Sequence, residues 1–216
     1  MLNREQLATL LRAAEAGAAQ GFSDDGDWPN PKARSELTPA AVLVPVINRA
    51  GQPTVMFTQR TSHLKDHAGQ ISFPGGRKEP EDLDAAHTAL RETEEETGLA
   101  RDRVEVLGRI PDYTTGTGFI VTPVVGWVES PSDYAPDPFE VAEVFEVPLS
   151  FLLDPRNHRL ETALFKGRMR TYYAMPWQGR YIWGATAGML VSFYRVIAAA
   201  QGQAAEPPLR MAVDSG

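Results

Sequence analysis

A mixed α/β protein, of the α+β kind with a central mixed sheet flanked by helices, is predicted from three features of the 216-residue chain. β-rich runs outnumber helical ones. One strongly periodic helical segment lies mid-chain and a second near the end. Strands do not alternate regularly with helices, as a doubly wound parallel sheet would require. With 43% hydrophobic and 23% charged residues the composition is ordinary for a globular chain of this size, which is long enough to bury a sizeable core.

The elements follow in order. Leu7, Leu10, Leu11 and Ala14 recur at helical spacing, predicting a helix over about 3–19. Gly21 to Pro39 is rich in Asp, Pro and Gly and reads as a linker or wrapping loop. Ala41–Ile47 and Thr54–Gln59 are strand-like and are joined by Asn48-Arg49-Ala50-Gly51-Gln52-Pro53, a hairpin signal. A loop from Arg60 to Gly69 leads to Gln70–Phe73, after which Pro74-Gly75-Gly76 is expected to break the chain sharply. Residues 84–97 carry a strong helical period. Val104–Ile110 and Ile120–Val128 read as strands split by the loop Thr114–Gly118, and Val141–Val147 as another ending at Pro148. Residues 158–176 resemble a hairpin about Gly167, and a last helix is expected over about 183–200. The organisation is then an N-terminal helix and linker over 1–37, a main domain over 38–200 and a polar tail over 201–216.

Composition excludes several function classes. With no cysteine, the chain has no disulfide framework, no thiolate metal site and no cysteine nucleophile. A net charge of −7 makes nucleic acid and anionic membrane poor partners. The N-terminus is not a secretory signal, and the apolar stretch Tyr181–Ala200 is interrupted by Gly184, Thr186, Gly188, Ser192 and Arg195, too broken for a spanning helix. A soluble, cytoplasmic protein is expected. The charge is not spread evenly: Glu79 to Gly98 holds eight acids and one base, enough to account for the whole excess.

On a helical wheel Ala86, Ala89, Leu90, Thr93 and Thr97 gather in one arc about 100° wide, a core-facing stripe. Glu92, Glu95 and Glu96 are neighbours at spacings of three and four, and Glu92 and Glu96 flank the stripe, while His87 and Glu94 point elsewhere. None of the three has a Lys or Arg three or four residues further on, so the cluster destabilises an isolated helix. A hard divalent cation such as Mg²⁺, which takes few carboxylates and keeps sites for water and phosphate oxygen, removes that penalty. A run of glutamates taken alone is usually a solvated face.

Gly76 followed, after fourteen residues, by Arg91-Glu92-Thr93-Glu94-Glu95-Glu96-Thr97-Gly98-Leu99 resembles the Nudix box. The second half matches that family's pattern except for Thr93 at an apolar position. The first half is one residue longer, and the place of its acid falls on Leu83, with Glu81, Asp82 and Asp84 around it. The stretch Thr58–Gly76, with Thr58-Gln59-Arg60, His67-Ala68-Gly69-Gln70 and Phe73-Pro74-Gly75-Gly76, is similar to the coenzyme A pyrophosphatase branch. So are Glu140–Leu149 and Ile182–Gly188. The resemblance spans roughly residues 38–200.

The resemblance implies a Nudix-like α/β/α sandwich and metal-dependent hydrolysis at a pyrophosphate. Glu92, Glu95 and Glu96 would bind Mg²⁺ or Mn²⁺. Arg91 would orient a box carboxylate or meet substrate. Glu140 is the candidate base outside the box, with Glu143 as runner-up. Arg60, Lys65 and His67 are candidate substrate contacts, although each is also readable as a surface charge or a structural His. Gly75 and Gly76 permit close backbone approach to a phosphate site. The implied substrate is coenzyme A or a derivative, cleaved to 4′-phosphopantetheine and adenosine 3′,5′-bisphosphate. The alternatives are another nucleotide (NADH, ADP-ribose or a nucleoside triphosphate) or a non-catalytic nucleotide-binding module. The N-terminal helix has three uses open to it: covering the sheet, forming a homodimer contact or framing the pocket.

Overall fold

The computed structural model describes residues 2–16, 22–23, 36–63, 68–129, 134–165, 167–205 and 209–210. In chain order these form α1 (Arg4–Ala16), β1 (Phe22–Ser23), β2 (Thr38–Arg49), β3 (Gln52–Arg60), β4 (Ile71–Ser72), β5 (Gly75–Arg77) and α2 (Ala85–Thr97). There follow β6 (Val104–Arg109), β7 (Tyr113–Thr114), β8 (Phe119–Glu129), β9 (Val141–Pro148) and α3 (Leu149–Leu152). The chain continues through β10 (Arg159–Phe165), β11 (Arg168–Trp177), β12 (Arg180–Trp183), α4 (Ala185–Ala200) and β13 (Leu209–Arg210).

The β-rich run at 38–60 turns back on itself at Ala50 and Gly51, whose φ angles of 49° and 80° suit a two-residue hairpin turn. That turn sets the antiparallel register Val46↔Val55 and Arg49↔Gln52. β9 adds antiparallel to the outer side of β3, with Phe57 opposite Phe145. On its other side β2 runs parallel to β8 over its whole length, from Thr38↔Phe119 to Asn48↔Glu129. β6 and β7 pair antiparallel with β8, and β1 lies parallel to β7. The expected mixed sheet is therefore present, with nine strands among the described residues and helices on both faces.

Strand alternation sorts the two faces. Ala41, Leu43 and Val124 pack under Ala89 of α2, and Ile47, Met56 and Val128 pack with Leu99 just beyond it. Val44, Val46, Val55, Phe57, Val125 and Trp127 face the opposite way, into the main core. Leu7 and Leu11 of α1 and Leu190, Phe193 and Ile197 of α4 fill that side. Of the uses open to α1, the structure has it covering the sheet; residues 17–21 and 24–35 of the linker lie outside the described part. A second sheet of order β12-β11-β10-β13 adds Met175 and Ile182 to the same core.

Two local expectations need correction. Gly75-Gly76 does not simply break the chain: it forms β5, antiparallel to β2 with Gly76 opposite Ala41. The last helix, expected over about 183–200, begins at Ala185, and residues 180–183 before it are not part of it. They pair with β11 as a strand, and Gly184, at φ 64°, turns the chain into α4. In that segment strand pairing, a long-range contact, overrides an apolar pattern that also suits a helix. Among the described residues no helix is long and apolar enough to cross a membrane.

Candidate active site

The site is built where β5 and the end of β3 meet α2. Asp84 caps the helix by accepting the amide of His87 at 2.8 Å, and Gly98 ends it in the left-handed conformation, its N–H donating to the Glu94 carbonyl. Both ends of the helix are thus capped by its own flanking residues. The buried stripe is rotated slightly from the expected one. Thr88, Ala89, Thr93, Glu96 and Thr97 are buried, whereas Ala86 and Leu90 are only partly covered. Thr93 and Thr97 satisfy their hydroxyls on the carbonyls of Ala89 and Thr93, which lets polar residues occupy an apolar face.

The turn before the helix carries the feature that sequence reasoning leaves open. Leu83, at the position of the family's acid, is 84% exposed, whereas Asp82 is only 4% exposed. Asp82 accepts the Glu79 amide (2.9 Å), the Thr88 hydroxyl (2.9 Å) and both Nε (3.1 Å) and Nη2 (3.0 Å) of Arg91. His87 Nδ1 lies 2.8 Å from its other oxygen, so His87 belongs to this network and does not simply point away. The Arg91 guanidinium, foremost among these partners, holds the Asp82 carboxyl well below the usual carboxylate range. The signal available in the sequence was an acid six and nine residues before Thr88 and Arg91. It becomes readable only once the turn at 78–84 folds back on the helix.

Arg91 does more than hold Asp82. Its Nη1 lies 3.1 Å from Glu92 Oε1 and 3.1 Å from Glu95 Oε2, and its Nη2 donates to the Arg77 carbonyl at 3.2 Å. The base that serves Glu95 therefore sits four residues before it. Arg91 thereby clamps α2 to the strand that carries Gly76.

Glu92 and Glu96 face the β5 loop. A Cβ built on Gly76 would fall 2.6 Å from Glu92 Oε2, with the rest of the carboxylate nearer still. Only glycine leaves room for Glu92 there. Glu96 is 6% exposed, and its Oε2 is buried with no hydrogen-bond partner. Burial, followed by the charge of Glu92, pushes the Glu96 carboxyl up to about 8, against the opposing pull of Arg60 and the Gly75 amide. Glu92 is raised in the same way, burial first, with Glu95 and Glu140 adding to it and Arg91 opposing. Arg60 Nη1 is 4.0 Å from Glu96 Oε1, while Arg60 Nε is itself buried without a partner.

Glu140 heads β9 beside the end of β3, where its carbonyl accepts the Thr61 amide at 2.9 Å, and its charge reaches both Glu92 and Glu96. Glu143 is opposite Gln59, on the main-core side of the sheet, and is ion-paired with Arg180, which lies over the Phe145 ring. The structure thus brings Arg60, Gly75, Gly76, Arg91, Glu92, Glu95, Glu96 and Glu140 together and leaves Glu143 out. Lys65 and His67 lie outside the described residues.

Among the described residues no group of three or more His, Asp or Glu side chains is arranged as a ready metal cage. Glu95 is turned toward Arg91 with its side chain 58% exposed. The donors that fit a hard cation are Glu92 and Glu96, two neighbouring carboxylates of which one has an orphaned buried oxygen.

A mixed sandwich that sets a carboxylate-bearing helix behind a glycine strand has the architecture of a pyrophosphohydrolase. The NUDIX domain family model matches residues 37–165, and the chain belongs to the Nudix hydrolase family. Membership implies a metal-dependent nucleoside-diphosphate hydrolase mechanism in general terms. The chain is 38% identical over 151 residues to an uncharacterized Nudix hydrolase NudL of Photorhabdus laumondii, covering 70% of this chain and 80% of that protein. It is 40% identical over 152 residues to an uncharacterized Nudix hydrolase NudL of Yersinia pestis, covering 70% and 75%. A C. elegans Ap4A hydrolase binary complex aligns with a TM-score of 0.44 and 21% identity, covering 53% of this chain and 82% of that one.

Proposed function

We propose that this protein hydrolyses the pyrophosphate bond of a nucleoside diphosphate linked to a second moiety, with Mg²⁺ or Mn²⁺ held by Glu92 and Glu96 and, when substrate is present, by Glu95. The observation that carries the reading is the buried, partnerless Glu96 Oε2 beside Glu92, an arrangement a cation would satisfy. When bound, such a cation supplies neutralisation of phosphate-oxygen charge. The chain's own residues supply the rest. Arg91 and Gly76 hold Glu92 in place from two sides. Arg60 directs a guanidinium with an unused buried Nε into the site, where a substrate phosphate would take it up. Glu140, half-buried and next to this cluster, is the proposed base that takes the proton of the attacking water.

Coenzyme A or a derivative is the finer substrate reading. It rests on the likeness of Thr58–Gly76 to the coenzyme A pyrophosphatase branch, within which Lys65 and His67 are the proposed further substrate contacts. NADH and ADP-ribose satisfy the carboxylate site equally well. The test is a panel of coenzyme A, NADH, ADP-ribose and dGTP with Mg²⁺ or Mn²⁺, products resolved by chromatography. Preference for one of the last three removes the coenzyme A reading. No turnover of any member, with nucleotide binding retained, favours a binding module.

A further inference from the structure

Phe139 is a large apolar side chain, 64% exposed, in the segment Ala135-Pro136-Asp137-Pro138-Phe139-Glu140 that leads into β9. A single exposed apolar residue needs no explanation. What sets this one apart is how firmly it is presented. The Ala135 and Asp137 amides donate to the carbonyls of Thr97 and Glu96 at 2.9 and 3.0 Å, tying the segment to the end of α2. The Phe139 amide donates to Asp137 Oδ1 at 2.8 Å, and the Phe139 carbonyl accepts the Thr61 hydroxyl at 2.9 Å. Thr61 also donates its amide to the Glu140 carbonyl, and two prolines restrict the backbone further. The segment is therefore pinned to the two elements that carry Glu96 and Arg60, yet its aromatic ring is left facing water. His63 packs against one side of that ring, centroid to centroid 4.9 Å at 60°.

We infer that Phe139, backed by His63, is the platform on which the nucleobase of the substrate stacks. The inference rests on the nucleotide-hydrolase reading above and names the subsite that reading lacks. In a nucleoside diphosphate the base lies one sugar beyond the phosphates. Its contact must adjoin the carboxylate cluster without being part of it, and Phe139 immediately precedes Glu140. The other aromatic ring bordering the glycine strand, Phe119, already has its face covered by the Arg77 guanidinium at 5.2 Å. Phe73 is buried, stacked on Phe57. Among the described residues, Phe139 is thus the ring near the site that can accept a planar heterocycle by stacking.

The test uses Phe139→Ala, Phe139→Leu and Phe139→Trp in the full chain, with ADP and the base-free analogue methylenediphosphonate titrated into each protein in the presence of Mn²⁺. Stacking of this kind predicts that Phe139→Ala and Phe139→Leu lose about 10-fold or more in ADP affinity. Phe139→Trp keeps it, and methylenediphosphonate binds all four proteins alike. In turnover the same loss enters KM, with kcat within about twofold. Equal ADP affinity in wild type and Phe139→Ala overturns the inference. So does a parallel loss for methylenediphosphonate, which would mean that the segment as a whole had shifted. Because this arm reads binding, it stands apart from the hydrolase reading: absence of turnover across the substrate panel refutes hydrolysis, whereas ADP affinity set against methylenediphosphonate decides the platform.

Discussion

Gly76→Ala separates the chemistry of this site from its stability. Gly76 pairs with Ala41 in β5 and has no positive φ, so alanine fits the backbone there. Replacing glycine at such a position stabilises by about 0.4–1 kcal/mol through the unfolded chain. Against this, the new methyl lies 2.6 Å from Glu92 Oε2, where ordinary contact begins at 3.4 Å. The obstacle is the free end of a side chain, so Glu92 swings aside by about 1 Å. It gives up a partly exposed ion pair with Arg91, worth about 0–1 kcal/mol. The two effects nearly cancel, and the melting temperature should stay within about 2–4 °C of wild type. Activity should not survive so well, since a displacement of about 1 Å in a positioned group costs about 100-fold in rate. Gly75→Ala is the contrast. At φ 153° its methyl would fall 2.6 Å from the Val42 Cα, backbone that cannot yield, so the fold itself should lose about 1–3 kcal/mol. Thermal unfolding and steady-state kinetics on the best panel substrate with Mn²⁺ measure both variants. Wild-type turnover in Gly76→Ala would refute the placement of Glu92 in the reaction, and a collapsed fold would refute the claim that only a flexible carboxylate stands in the way.

Glu96→Gln replaces a buried ionisable group with a neutral one while keeping the shape. Turnover should fall at least about 100-fold, with metal-free stability at or above wild type by thermal unfolding. In metal-chelated wild type, Glu96 holds its proton more tightly folded than unfolded. Stability should therefore decline as pH rises from about 4.5, the ordinary glutamate range, to about 8. Glu96→Gln should lack that slope in urea titrations at a series of pH values. Asp82→Asn breaks a buried pair but leaves Arg91 its contacts with Glu92, Glu95 and the Arg77 carbonyl, so denaturant unfolding should show a loss of about 1–3 kcal/mol. Glu140→Gln should lower kcat by about 100-fold or more and leave KM near wild type in steady-state kinetics; an unchanged kcat moves the base elsewhere.

What was legible in the sequence was what local chemistry decides. Ala50-Gly51 between two β-rich runs announces a hairpin, and the helical period over 84–97 announces α2, because a turn and a periodic stripe need only their own residues. The box carboxylates were legible for the same reason, since spacings of three and four place them together on any helix. What escaped depends on distant chain. β5 contains two glycines in three residues and reads as a break until the edge of β2 is there to pair with it. Arg180–Trp183, at the edge of the helix expected from about 183, takes strand form only where β11 lies beside it. Asp82 has no local signature among its acidic neighbours; four donors converge on it only after the turn at 78–84 closes over α2.

The acidic segment that accounts for the net charge holds two opposite electrostatic solutions, and their contrast locates the function. Asp82 is a buried carboxylate saturated with donors, Asp84 is spent on a helix cap, and Glu94 is paired with Arg101. Those acids are neutralised by the fold itself. Glu96 is equally buried but starved: one oxygen has no partner, the nearest cation is 4.0 Å away, and two further carboxylates crowd it. A fold able to surround Asp82 with hydrogen bonds had the means to do so for Glu96, one helix face away. Leaving Glu96 uncompensated destabilises the empty site, and a divalent cation arriving with an anionic substrate offsets that in one step. An acidic protein then accepts a pyrophosphate because the charge that would repel it is answered by the cation that comes with it.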